Sequence, residues 1–240
     1  MKQDSWAPYG AGAGAVAVAL FVVGSLIIGE RPGFDAPAAE VAANFDDHRT
    51  RIQVGCAVLA ALAPFLVWFL ATIASLTRSD PPGARRAAAF AYGCGLIFVT
   101  LFLADVTALA VGALRPENML AAPELAAALR DFEFLAMGTA AFAAAGMLAG
   151  FAVLALRDRV HWPRWLGWLA AIAAVLYPLR VGTLFETDGP FAADGVLGLW
   201  LPVIAFAGST FLASVVLATR RRSAPPPVPR RPRAPSRPAP

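Results

Sequence analysis

Two charged residues stand where charge is costly. Asp105 lies in FLADVTALAVG (Phe102–Gly112) and Arg180 in YPLRVGTLF (Tyr177–Phe185), each within a long run of mostly apolar residues. A carboxylate and a guanidinium brought together away from water offset each other's desolvation. Such a pair serves either as a latch that holds two elements in register or as a site for a proton or a small polar solute. Tyr177 and Thr183 flank Arg180 three residues away on either side, giving that run one polar stripe. Glu133 and Glu186, at the ends of neighbouring runs, extend the network. The candidate polar site is therefore Asp105, Arg180, Tyr177, Thr183, Glu133 and Glu186.

Other chemistry has no constellation in the sequence. The two histidines, His48 and His161, fall in different loops, so neither a haem nor a zinc site is expected. Ser209 has no histidine near it in its run to act as a base. The cysteines, Cys56 and Cys94, form no C-x-x-C pair and are expected on opposite sides of the structure. No phosphate-binding loop is present. No catalytic residue, cofactor or metal is expected, and no nucleic-acid partner.

The elements that must position the polar set are apolar runs. Of the 240 residues, 58% are hydrophobic and only 15% charged, well below the usual charge of a soluble domain. Six runs stand out: Gly10–Gly29, Ile52–Leu76, Ala87–Leu114, Phe134–Leu156, Trp165–Phe185 and Gly195–Thr219. Each has the roughly 20 residues needed to cross a hydrocarbon core of about 30 Å. The expectation is an all-α, six-span membrane bundle over residues 1–222, followed by a disordered, basic, proline-rich tail at 223–240. The first run reads as a retained span rather than a cleaved signal, because IIGERPG has no small-x-small site at its edge.

Charge orients this bundle. Lys2, Arg78, Arg85, Arg86, Arg157, Arg159, Arg164 and seven tail arginines fall on one side; Arg31, Arg49, Arg51, Arg115 and Arg130 fall on the other. The basic side is the cytoplasmic one, so both termini are expected inside the cytoplasmic membrane of a bacterium. Arg220, Arg221 and Arg222, just past the last run, suit anionic lipid headgroups. Most acids fall on the opposite, outer face.

Spans three and five cross in the same direction, which allows depth to be compared. Asp105 is nineteen residues after Arg86 and Arg180 sixteen after Arg164. At about 1.5 Å per residue the depths agree within roughly 5 Å, so Asp105 is expected to face Arg180. Two outer segments, DAPAAEVAANFDDHR and AAPELAAALRDFEF, carry apolar residues at helical spacing and read as short amphipathic helices leading into spans two and four. Pro64, Pro178 and Pro202 lie inside spans and should bend them. Gly10-x-x-x-Gly14 and Gly146-x-x-x-Gly150 mark close helix packing within the chain.

The PAAEVAANFDDHRTRI helix before span two, the APFLVWFLATIASL span itself and the six-span pattern resemble uncharacterised multi-pass membrane proteins of high-GC bacteria. That resemblance implies no activity. The expected function is non-enzymatic, structural or partner-binding, with a buried Asp105–Arg180 latch. The alternative is a small-solute or proton-coupled transporter using the same two residues; an intramembrane enzyme comes third.

Overall fold

In lipid, backbone N–H and C=O groups must bond within their own segment, which turns each apolar run into a helix. The computed structural model describes residues 7–33, 35–77, 80–157, 162–185, 189, 191 and 195–222. Its helices are α1 (Ala7–Ile28), α2 (Ala38–Asp47), α3 (Arg49–Leu76), α4 (Pro82–Leu114), α5 (Pro116–Ala121), α6 (Pro123–Arg157), α7 (Arg164–Leu176) and α8 (Leu201–Arg222). No strand occurs among the described residues. Six helices are long and apolar enough to cross a membrane, so the chain is an all-α polytopic bundle.

Two proline positions change the helix type. α7 tightens into a 3₁₀ segment at Tyr177–Leu184, and a π-helical turn at Val196–Trp200 leads into α8. Pro178 and Pro202 lack the N–H that an α-helix needs, and their rings crowd the carbonyl one turn back. Pro64 leaves α3 continuous. The first amphipathic segment forms α2, whereas the second is not a separate helix. PELAAALRDF makes up the opening turns of α6, running directly into the span, and α5 precedes it.

The spans close into a ring. α1 packs on α3, α3 on α4, α4 on α6, α6 on α7, α7 on α8, and α8 returns to α1. Consecutive spans alternate in direction, so the α1–α3, α4–α6 and α7–α8 connections share one end, the long-loop face. Small residues bring the walls together. A Cβ on Gly24 would lie 3.2 Å from the Gly55 carbonyl oxygen of α3, and one on Gly150 would lie 2.9 Å from that of Ala87 on α4. Gly10 and Gly14 face Thr72 and Phe69 of α3, so both G-x-x-x-G pairs serve contacts inside the chain.

Aromatic rings fill the centre. Phe98 and Phe206 approach to 4.8 Å between centroids, Tyr177 and Phe206 to 5.4 Å, and Phe98 and Phe102 to 6.3 Å. Phe21 of α1 joins at 6.5 Å from Phe102. Four spans thus meet in one layer, at separations favourable for tilted and edge-on rings.

The seam between first and last spans is polar. The Ser214 hydroxyl accepts from Ala15 N–H at 2.9 Å and donates to Ala11 C=O at 2.6 Å. Ala15 N–H and Ala11 C=O are the donor and acceptor of one turn of α1, so the α8 hydroxyl docks on both groups of that turn while α1 stays α-helical. At the long-loop face, α2 lies over the ring with Val41, Ala42 and Phe45 buried. Gln53 and Arg49 donate to the Ala113 and Leu114 carbonyls at 3.0 and 3.1 Å, satisfying the end of α4.

Ser214→Ala is expected to cost only about 0.6 kcal/mol, because the Ala15 N–H and Ala11 C=O keep each other as partners within the helix. Ser214→Leu wedges α8 from α1 and should lower the melting temperature in detergent far more. Equal losses for the two variants would show that the hydroxyl, rather than the close fit, holds the seam.

Candidate functional site

Each polar residue is held by a different element. Asp105 projects from α4, one to two turns beyond the Phe98–Phe102 layer toward the long loops, and is partly buried. Arg180 lies in the 3₁₀ segment, 6% exposed, with Tyr177 one turn earlier and 2% exposed. Glu133 is on α6 and 4% exposed. Arg31, in the loop just past α1, completes the group.

The charges converge. Asp105 lies in the field of Arg31 first and Arg180 second. Glu133 lies in the field of Arg31, Asp105 and Arg130, and Cys56 of α3 in that of Glu133, Arg31 and Asp105. Tyr177 lies in the field of both Arg180 and Asp105. Three arginines, Arg31, Arg130 and Arg180, thus act on the two acids Asp105 and Glu133.

The ion pair that closes within this cluster joins Arg31 to Glu133: Nη1 donates to Oε2 at 2.7 Å. Among the described residues Asp105 makes no ion pair, and Arg180 acts on it through its charge. Depth counting treated span five as uniform α-helix. The 3₁₀ segment rises about 2.0 Å per residue rather than 1.5 Å, altering both the depth and the direction of Arg180. Thr183 belongs to the 3₁₀ segment, but its side chain lies outside the described residues, as do Glu186, the side chains of Arg220, Arg221 and Arg222, and the whole tail at 223–240.

Two residues that counting assigned to the outer loops prove central. Arg130, three residues before Glu133 on α6, donates from Nη1 to the Gly33 and Ala36 carbonyls at 3.0 and 2.9 Å. Its longer contacts to Asp131, at 3.4 Å, lie toward solvent. Arg31 reaches from the loop to α6 while Arg130 reaches from α6 to the loop, so the segment before α2 is stapled twice. The available signal was the glycine just past span one: Gly29, at φ 70°, ends α1 two residues before Arg31.

A cavity of about 30 Å³ lies beneath α2, lined by Arg31, Asn44, Phe45, Leu109, Arg130 and Glu133 among others. A second, of about 20 Å³, lies on the other side of the aromatic layer beside Ser209 and Thr210. The two share no lining residue. Among the described residues no group of three or more histidine, cysteine or acidic side chains is placed to hold a metal ion. No family model matches the chain, and neither a curated protein nor a solved structure matches it.

Arg31→Ala is expected to destabilise the protein by about 1.5–3 kcal/mol, as for a hydrogen bond between charged groups. The lower end applies, because the arginine side chain is 39% exposed and water screens it. In a Glu133→Gln background the same change should cost much less. Thermal melts of the four proteins measure this coupling, and additive losses would mean the 2.7 Å contact contributes no stability of its own.

Proposed function

We propose that this six-span chain is a non-enzymatic membrane protein, structural or partner-binding, in which a buried charge latch fixes the long-loop half of the ring. The latch consists of Asp105 and Arg180 extended by Arg31 and Glu133, and it ties α4, the 3₁₀ segment, α6 and the loop after α1 together. One observation carries the reading. Arg31 and Glu133 close an ion pair at 2.7 Å within the field of Asp105, and the cavity lined by both has room for only about 30 Å³. A solute-binding site is typically ten times larger or more. The membrane is the cytoplasmic membrane of a bacterium, with both termini inside, as the arginine distribution favours. Arg220, Arg221 and Arg222 then meet anionic headgroups at the inner surface.

A second reading is favoured by a specific feature. Asp105 has no ion pair among the described residues, and neither does one oxygen of Glu133 have a hydrogen-bond partner there. Acids of this kind at membrane depth also suit proton-coupled transport.

A double-mutant cycle separates the two. If Asp105 and Arg180 form a latch, Asp105→Asn or Arg180→Gln alone leaves a buried charge unmatched and costs about 3–5 kcal/mol. The double change should recover much of that loss in thermal melts. In a transport site, single changes spare folding but abolish a substrate or proton response in proteoliposomes, and the double change does not restore it. Additive stability losses would remove the latch.

Orientation has its own test. A single cysteine placed in the 223–240 tail should resist membrane-impermeant maleimide in intact cells and react after permeabilisation. Labelling before permeabilisation would invert the assignment.

A further inference from the structure

Opposite the long loops, the α3–α4 and α6–α7 connections share the short-loop face. By sequence, residues 78–86 and 157–164 hold six arginines against two acids, Asp80 and Asp158. Two of these arginines converge. A Cβ on Gly83, in the first turn of α4, would lie 3.3 Å from Nη1 of Arg157, the last residue of α6. Arg86 is one turn further along α4, and helical side chains lean back toward the N-terminus, over the turn that Arg157 has reached. Both residues are exposed, and among the described residues neither forms an ion pair. Asp80, half-buried just before α4, forms none with them. α4 also starts without a side-chain cap, so its N-terminal dipole adds to the positive field.

We propose that Arg86 and Arg157 bind the phosphate of an anionic phospholipid whose acyl chain lies along the outer seam between α4 and α6. The seam starts directly beyond the arginines. Phe90, one turn past Arg86, is 55% exposed, and Val153, one turn before Arg157, is 38% exposed. Small residues form the floor between these two walls. A Cβ on Gly150 would lie 2.8 Å from that of Ala91, and one on Gly146 would lie 3.3 Å from Phe90 Cζ. Charge stands at one end, and an outward apolar surface runs from it along the spans. That is the layout of a phospholipid. On the neighbouring α7, Trp165 and Trp168 are largely exposed and mark the level where headgroups meet the hydrocarbon.

The chemistry selects among occupants. Guanidinium groups present paired donors that match phosphate oxygens. A zwitterionic headgroup carries its own cation toward the two arginines and is disfavoured. A free phosphate would use the arginines and leave the seam idle. An acidic protein segment would meet the charges in water but not Phe90 and Val153 within the spans. The site requires that the chain cross a membrane, and it is independent of which leaflet the short-loop face meets. It is also separate from Arg220, Arg221 and Arg222, which end α8 rather than α4 or α6.

Native mass spectrometry of the full chain in neutral detergent tests the site, with phosphatidylglycerol and phosphatidylcholine of identical acyl chains as probes. The first phosphatidylglycerol is expected to bind on the order of 30-fold more tightly than the first phosphatidylcholine, the equivalent of about 1 kcal/mol for each arginine. Arg86→Gln/Arg157→Gln should abolish that preference, and Arg86→Lys/Arg157→Lys, which keeps both charges, should retain most of it. Both side chains are exposed, so melting without lipid should be unchanged in either variant. Arg220→Gln/Arg221→Gln/Arg222→Gln should leave the preference intact. A preference that survives Arg86→Gln/Arg157→Gln, or one lost with the three α8 arginines instead, would overturn the site. So would soluble glycerol 3-phosphate binding as tightly as the whole lipid, which would make the ligand a free phosphate. None of these readouts involves Asp105 or Arg180, so the lipid site and the latch fail independently.

Discussion

Charge among apolar helices has to be matched nearby, because little solvent is there to screen it, and the long-loop half of this protein holds Asp105 and Glu133 with the arginines that act on them. Asp105 and Glu133 project from α4 and α6, neighbours in the ring, and their mutual repulsion would drive the two helices apart if it stood alone. Arg31 and Arg180 both act on Asp105 through their charge. Much else serves to keep those arginines in position. The loop after α1 is pinned by Arg130, α2 covers it, and the 3₁₀ segment sets where Arg180 stands. The net worth of such a cluster in stability is small, since each charge has lost its hydration.

Below the cluster, the aromatic layer performs the complementary task. Phe21, Phe98, Phe102, Tyr177 and Phe206 come from α1, α4, the end of the α7 segment and α8, and together they close the middle of the ring. Large rings suit this place because small residues dominate the contacts between neighbouring helices. Where glycine and alanine let the walls approach, as at Gly24 and Gly55, the side chains that remain large must point into the centre or out to lipid. Tyr177 sits at the boundary of both regions, its ring against Phe98 and Phe206 and its phenol within the field of Arg180 and Asp105.

The architecture was readable in the sequence because hydrophobic length is a local property. Six runs of apolar residues specify six spans whatever their neighbours do, and Val41 and Phe45 announce a helix lying on a surface. Asp105 and Arg180 were equally visible, since an isolated charge in such a run stands out. What could not be read was partnership. Arg31 looked like an ordinary loop cation, and only the fold of ERPG back over the ring brings it to Glu133. Proline positions predicted bends, but not that Pro178 would tighten the helix and Pro202 would follow a π turn. The second amphipathic segment carried the pattern of a surface helix, and continuity of its backbone with span four is decided at Phe132–Leu135, where no breaker intervenes.

Ser214 gives the ring an unusual kind of closure. While the last span is still being synthesised, the Ala15 N–H and Ala11 C=O of α1 have each other as partners, as in any α-helix. When α8 arrives, its hydroxyl takes both groups at once. Joining the two ends of the bundle therefore adds two side-chain bonds at a turn whose backbone groups already have partners within α1. The first helix can insert and remain self-sufficient for as long as translation takes, and then accept the sixth without passing through a state that hydrocarbon would penalise.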